Sequence, residues 1–409
     1  MTIDAFINHI KEYQYVDGVR TRVEQVQIDG EQVPQFINEF WTAKQRQASS
    51  LHEVSYRACF KPQLPRFFIQ ALTAPGDIVY DPFSGRGTTG IEAGLLGRRA
   101  IANDVNPLSA LLSEPRFFVP SMDELHERLD SISLAKGGRA EIDLSMFYHR
   151  DTEAEIVALR DYLLERACTG EADWLDKWIQ MVATNRLTGH SGGFFSVYTL
   201  PPNQAVTPER QVLINHKRNQ SPEYKDIKSR ILKKSVSLIR NLADVEIDNL
   251  REVGATALFL ENDARRTPEI ESESVMLTVT SPPFLDVVQY SQDNWLRCWF
   301  NGIRVGDVAA KITMAKSVSE WAGVMQDVFN ELYRITKPGG WVTFEVGEVK
   351  NGTVKLDEYV VPLGKKAGFS CGGVLLNVQE FTKTANIWGI KNNSVGTNTN
   401  RVVLFCKES

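Results

Sequence analysis

Apolar positions divide the chain into stretches of different period. Between residues 51 and 112 a helical stripe gives way to short β-branched runs. Between 113 and 250 the spacing is helical almost throughout, and from 254 onward strand and helix periods alternate again. Leu64, Phe67, Phe68 and Leu72 recur at helical spacing behind Pro62, a residue suited to a first helical turn. Residues 78–80 read as a buried strand, 91–96 as a helix stopped by Gly97, and 99–104 as a second strand ending in an acid. Helices are predicted at 122–134, 153–167, 174–182, 285–300, 319–335 and 356–367. The 285–300 helix would turn Tyr290, Trp295 and Trp299 inward, and the 319–335 helix would bury Trp321, Val324, Val328, Leu332 and Tyr333. Strands are predicted at 257–264, 275–279 and 341–346, with a closing pair at 372–380 and 401–407. Before residue 50 the pattern supports a short helix capped by Asp4 and carrying Phe6, Ile7 and Ile10, then a polar hairpin around 23–28 turned by Asp29-Gly30.

The length of 409 residues exceeds one small core, so the chain predicts two or more domains or one domain with a large insertion. A hydrophobic fraction of 43% with 24% charged residues is that of a soluble globular protein. Net charge is −5, so any surface that binds nucleic acid must be local. One such stretch exists: residues 207–240 hold nine Lys/Arg against three acids. Lys217, Arg218, Lys225, Lys228, Arg230, Lys233 and Lys234 are candidates for phosphate contacts, against the plainer reading of a solvated helix face. A polar, glycine-rich loop at 185–196, with Arg186, His190 and several aromatic residues, is a candidate recognition loop. The five cysteines lack metal-ligand spacing, so no metal centre is expected, and they point to buried thiols of a reducing cytoplasm. Neither a signal peptide nor a membrane-spanning segment is expected.

Two motifs carry the chemistry. Gly85, Gly87 and Gly90 have G-x-G-x-x-G spacing between a strand and a helix, and Asp104 ends the next strand. Such a unit lets a ligand approach the backbone and offers an acid to ribose hydroxyls, so a nucleoside cofactor is expected in preference to a structural turn. A dinucleotide would place its pyrophosphate on the helix N-terminus, whereas S-adenosylmethionine presents an amino acid; the acid at Asp81 favours the methyl donor. The second motif is Thr280-Ser281-Pro282-Pro283-Phe284, where an apolar strand stops abruptly. Two prolines fix the backbone and leave carbonyls free beside a small hydroxyl and an aromatic ring. That arrangement suits a flat molecule with an exocyclic amine, against the alternative of an ordinary proline turn.

Asp81-Pro82-Phe83-x-Gly85-x-Gly87-Thr88 together with Ser281-Pro282-Pro283-Phe284 resembles the amino-methyltransferases of DNA, and the S-P-P-F form is similar to the cytosine-N4 branch. The resemblance covers about 51–112 and 254–409. It implies an α/β fold with a Rossmann-like seven-stranded methyltransferase sheet, mostly parallel, and a large mainly helical insertion. The chain would then divide into an N-terminal extension (1–50), an S-adenosylmethionine-dependent catalytic domain (51–112 and 251–409) and a helical insertion (113–250), which its glycine-rich loop and basic stretch make the candidate DNA-recognition region although common arrangements of the family place theirs elsewhere. Phe60, Lys61 and Pro62 would meet the methionine end of the cofactor. Asp81, Pro82, Phe83, Ser84, Gly85, Gly87 and Thr88 would line its amino-acid moiety. Asp104 would take the ribose, and Asn262, Asp263 and Ala264 the adenine edge. Ser281, Pro282, Pro283 and Phe284 would hold a cytosine flipped out of double-stranded DNA, with a cognate restriction endonuclease as a possible partner. The glycine loop precedes S-P-P-F here, whereas many cytosine-N4 enzymes have the two reversed. Rival expectations are an adenine-N6 or RNA methyltransferase, a nicotinamide-dependent oxidoreductase, and a non-catalytic nucleic-acid binder.

Overall fold

The computed structural model describes residues 1–15, 18–42, 48–57, 59–135, 137–201, 205–283, 293–312, 315, 317–349, 354–378 and 399–408. Eleven strands are described: β1 (Arg22–Ile28), β2 (Glu31–Asn38), β3 (Ile78–Asp81), β4 (Arg99–Asn103), β5 (Leu258–Leu260), β6 (Val275–Thr280), β7 (Thr336–Val346), β8 (Glu348–Val349), β9 (Val354–Lys355), β10 (Ser370–Val378) and β11 (Thr399–Cys406). Nine of them form one sheet in the order β1-β2-β10-β11-β7-β6-β3-β4-β5. The seven strands from β10 to β5 are parallel except β11, which runs antiparallel to both β7 and β10. This is the expected seven-stranded arrangement, mostly parallel with one reversed strand. The 23–28 hairpin extends it, because β2 pairs parallel with β10 and β1 closes the edge.

Both faces of the sheet are buried, and the two-residue period of the strands sorts side chains between them. Val79, Leu277, Val402 and Leu404 join one apolar cluster, while Tyr80, Val342, Val403 and Phe405 join the other. On the first face lie α1 (Ile3–Glu12), α2 (Gln63–Leu72) and α3 (Thr88–Leu95), whose Phe6, Leu64, Phe68 and Ile91 are buried there. Phe6 meets Trp341 edge-on at 5.0 Å between ring centres. The same face carries α4 (Leu108–Ser113) and the helical stretch α5 (Met122–Ser131), α6 (Arg150–Thr169), α7 (Trp174–Arg186), α8 (Pro208–Arg218), α9 (Ile227–Ile239) and α10 (Asp244–Gly254). Capping boxes open α5 (Ser121 with Glu124) and α7 (Asp173 with Asp176), which fixes where each begins.

Further along come α11 (Trp295–Phe300) and α12 (Val305–Lys311). In α11 the buried apolar residues are Leu296, Cys298 and Phe300, while Trp295 and Trp299 are half-buried. Both tryptophans pack against the apolar cluster, as expected, though their rings are only partly covered. Trp295 and Trp299 each need an acceptor for an indole N–H, and they donate to Val206 O and Glu141 Oε1 at the edge of the helical stretch. Tyr290 lies outside the described residues. The second face is covered by α13 (Val318–Ile335) and α14 (Asp357–Ala367). No helix among the described residues is long and apolar enough to cross a membrane.

Candidate functional site

The loops after β3, β4, β5 and β6 open at one edge of the parallel sheet, where ligands of such sheets bind. They enclose a cavity whose walls include Phe83, Gly85, Asp104, Asn262 and Ser281.

The glycine turn is built by backbone geometry. Gly85 and Gly87 have φ of +52° and +76°, in the left-handed region that favours glycine. A Cβ on Gly87 would lie 2.2 Å from Ser113 Oγ. The turn is tied to the next strand because Gly85 N donates to Asp104 Oδ2 at 2.9 Å, and Asn106 N donates to Asp104 Oδ1 at 2.9 Å. Burial pushes Asp104 up to about 6 against these two bonds. Each oxygen keeps a lone pair for a further donor.

Asp81 ends β3 and is 1% exposed. Thr280 Oγ1 donates to Asp81 Oδ1 at 2.7 Å, and Phe83 N donates to the same oxygen at 3.1 Å. Its Oδ2 is buried without a hydrogen-bond partner. Burial pushes this carboxyl up to about 7, with Thr280 and the Phe83 N–H opposing the rise. The Thr280 bond also joins the two motifs directly. The residue before Ser281 is held to the residue that opens the glycine turn.

Ser281 and Pro283 line the cavity, and Pro283 O accepts from Trp321 Nε1 at 3.0 Å. That bond fastens the proline turn to α13, whose Trp321, Val324, Met325 and Val328 form the apolar wall opposite the polar loops. Pro282 is buried and is not part of the wall. Phe284 lies outside the described residues.

The remaining candidates divide. Phe60, Pro82, Phe83, Ser84, Gly85, Thr88, Asp104, Asn262, Asp263 and Ala264 all line the cavity; Lys61, Pro62, Asp81 and Gly87 do not. Lys61 is half-buried, and burial followed by Arg86 lowers its pKa. Pro62 caps the start of α2. The Asn262 amide turns away to Glu269 Oε2 at 2.6 Å, and Asp263 accepts from Arg265 Nε at 2.9 Å, which holds its carboxyl below the usual range.

Sequence reasoning missed Tyr56, Cys59, Asn106 and Asn103. The first three line the cavity, and Tyr56 carbons sit 3.4 Å from where a Cβ on Gly85 would be. Asn103 is 0% exposed and clamps three loops: its Nδ2 donates to Pro82 O at 3.2 Å and Asn262 O at 2.9 Å, and its Oδ1 accepts from Asn262 N at 2.9 Å. An amide inside a run of apolar strand residues was the available signal.

Much of the basic stretch is bound within the protein. Lys225 donates to Ser196 O, Lys228 to Ile132 O at 2.7 Å, and Arg230 to Gly192 O at 3.2 Å. Lys234 is 9% exposed and lies 3.6 Å from Glu53. Lys217, Lys233 and His190 are exposed, and exposed Arg218 stacks on Tyr198 at 3.8 Å. Arg186 is partly buried and stacks on Phe194 at 3.9 Å.

The cavity therefore has a polar end at Asp104 and the glycine turn, an apolar wall from α13, and Ser281 in its lining, while Asp81 lies buried behind that lining, joined to Thr280. Its size and polar end are compatible with a nucleoside cofactor.

Residues 5–110 match the model of a family described as DNA methylase. The Type II methyltransferase M.BsoBI of Geobacillus stearothermophilus is 20% identical over 276 residues, which cover 62% of this chain and 53% of that enzyme. M.PvuII of Proteus hauseri is 37% identical over 70 residues, 17% of this chain and 21% of its own. The chain thus spans about half the length of M.BsoBI or less of the curated relatives it matches. Among solved structures, an rRNA methyltransferase of Streptomyces viridochromogenes overlaps 88% of this chain and 89% of its own at 10% identity, with a TM-score of 0.33. The fold assignment rests on the strand order. The family model and the curated relatives point to the amino-methyltransferases of DNA as a group.

Proposed function

We propose that this protein is an S-adenosylmethionine-dependent DNA methyltransferase that modifies the N4 amine of a cytosine flipped out of duplex DNA, as the modification partner of a restriction endonuclease. The observation that carries this reading is that Ser281 and the glycine turn line one cavity, with Thr280 bonded to Asp81 between them.

The residues fit the cofactor. Asp81 Oδ2, buried and unpaired, suits the ammonium of the methionine tail; Asp104 suits the ribose hydroxyls, and Ala264 with the Asp263 backbone the adenine edge. When bound, the sulfonium supplies an electrophilic methyl group. This chain's part is orientation and charge placement. Ser281 Oγ, which lines the cavity, accepts a hydrogen bond from the target amine, which makes its nitrogen more tetrahedral and frees its lone pair for in-line attack, while buried Pro282 shapes the turn that presents it. Phe284 stacks on the base. The amine's proton leaves to water. An acid at Asp81, at the strand end that opens the glycine turn, opposes a pyrophosphate there and favours the methyl donor over a nicotinamide. Exposed Lys217, Arg218, Lys233 and His190 would meet the DNA backbone.

The test is methyl transfer from labelled cofactor to DNA and to RNA in parallel, followed by identification of the product nucleoside. N4-methylcytosine in DNA is expected. N6-methyladenine or label in RNA would move the protein to a sister branch, and nicotinamide binding without adenosylmethionine binding would end the proposal.

A further inference from the structure

Residues 50–56 lead into the part of the cavity wall formed by Tyr56, Cys59 and Phe60. Two of these side chains press on the glycine turn: a Cβ on Gly85 would lie 3.4 Å from Tyr56 Cε1 and 3.8 Å from Cys59 Sγ. The cavity's width on this side therefore follows from how far the segment stands from the turn.

Two buried arginines set that separation. Arg86 lies between Gly85 and Gly87, is 7% exposed and is not part of the cavity lining. Its Nη1 donates to His52 O at 3.0 Å and to Val54 O at 2.9 Å, and its Nε donates to Thr88 Oγ1 at 3.3 Å. Arg116, just beyond α4, is 0% exposed and ties the same two pieces from the other side. Its Nη1 donates to Leu51 O at 3.1 Å, its Nη2 to Arg86 O within the turn, and its Nε to Leu112 O at 2.8 Å. The segment's other bonds lead elsewhere. Ser50 Oγ donates to Leu238 O of α9 at 2.6 Å, His52 Nε2 lies 2.7 Å from Glu92 Oε1 of α3, Asn185 Nδ2 of α7 donates to Ser55 O at 3.4 Å, and Tyr56 OH accepts from Asn106 Nδ2 at 3.3 Å.

Burying a guanidinium is costly unless its N–H groups meet acceptors, and here carbonyl oxygens meet them. Apolar side chains could fill the same space without fixing a distance, whereas a planar fork of donors fixes one. We propose that Arg86 is a positioning residue: it holds the Tyr56–Phe60 wall at the spacing from the glycine turn that the methionine end of the cofactor requires, with Arg116 bracing the turn's backbone. This rests on the methyltransferase reading and adds to it a residue outside the cavity lining that sets cofactor affinity.

The experiment uses the full-length wild type, Arg86→Met, Arg86→Lys and Asn377→Ala. The last is a control for lost stability, since Asn377 holds Phe40 and Trp41 to β10 and is no part of the cavity lining. Each is measured for melting temperature, adenosylmethionine affinity by calorimetry, kcat and cofactor KM in methyl transfer, and the rate at which iodoacetamide alkylates Cys59, followed on its peptide. Arg86→Met should bind the cofactor about tenfold more weakly and raise its KM alike, with kcat within about twofold of the wild type. Its Cys59 should be alkylated several-fold faster. Arg86→Lys keeps a charged donor for one carbonyl and should bind the cofactor about threefold more weakly than the wild type. Asn377→Ala should melt lower with cofactor affinity and Cys59 alkylation unchanged. Wild-type affinity and alkylation in Arg86→Met would overturn the proposal. So would affinity, kcat and melting temperature falling together in Arg86→Met and Asn377→Ala alike, which would make the arginine merely structural. If Arg86→Met does not fold, Arg86→Lys decides: weaker cofactor binding at the wild-type melting temperature supports the proposal, and unchanged affinity overturns it. If the wild type binds no adenosylmethionine, the functional reading fails, whereas faster Cys59 alkylation in Arg86→Met still establishes that Arg86 places the wall.

Discussion

Asp81 is where the proposed contact with the cofactor's ammonium and the stability of the fold oppose each other. Its carboxyl is buried, satisfied on one oxygen and raised from 3.8 to about 7. The folded state therefore holds this proton more tightly than the unfolded chain. Its stabilising contribution is complete below the unfolded value and is lost as pH rises through about 7. Ligand-free protein should melt at lower temperature at about pH 8 than at about pH 5, and Asp81→Asn should flatten that dependence and raise the melting point at the higher pH. The same substitution should weaken cofactor binding at least about tenfold, because the ammonium loses its charged partner. Asp104→Ala should also weaken cofactor binding, by about 1–3 kcal/mol, and unaltered affinity in calorimetry would remove the ribose role. These acids were legible in the sequence because each ends a strand beside a glycine turn. Asn103 showed only as an amide in an apolar strand, and its role as a clamp depends on partners that the fold brings to it. Asn262 and Asp263 line the cavity, and nothing in the sequence signalled that Glu269 and Arg265, a few residues along the chain, also engage their side chains.

At the scale of elements, α13 does more than cover a face of the sheet. Its apolar stripe was readable from helical spacing, but its contact with the proline turn was not, since residues 283 and 321 are brought together only by the strand order. Trp321→Phe keeps the ring and removes the donor to Pro283 O, which lies 3.0 Å away. We expect melting to change little, by about 1 kcal/mol, while methyl transfer slows several-fold because the Ser281 turn is less firmly held. Equal transfer rates would mean the prolines alone keep the turn in shape. The basic stretch around α8 and α9 shows the opposite limit. Counting charges found the excess, but carbonyls of Ser196, Ile132 and Gly192 absorb several of those cations, and no count can see an acceptor contributed by a distant loop.

At the scale of the whole molecule, nine of the described strands form one sheet whose edge is finished by N-terminal residues. The hairpin was visible as alternating positions around Asp29-Gly30, yet its docking was not, because parallel pairing of β2 with β10 leaves no local trace in sequence. Asn377 secures that docking: its Oδ1 accepts from Phe40 N and Trp41 N at 2.7 and 3.2 Å, and its Nδ2 donates to Trp41 O at 3.2 Å. Asn377→Ala would strand two buried N–H groups and should cost about 2–4 kcal/mol in denaturant unfolding. A cost near zero would mean the N-terminal segment is only loosely attached.

Every functional assignment above depends on the Ser281 hydroxyl acting on an amine beside a bound methyl donor. The most direct measurement is single-turnover methyl transfer to cytosine-containing duplex DNA by wild type and Ser281→Ala, with cofactor affinity determined for both. The account predicts equal affinities and a transfer rate lowered about a hundredfold or more in the variant. Equal rates at equal affinities would contradict it.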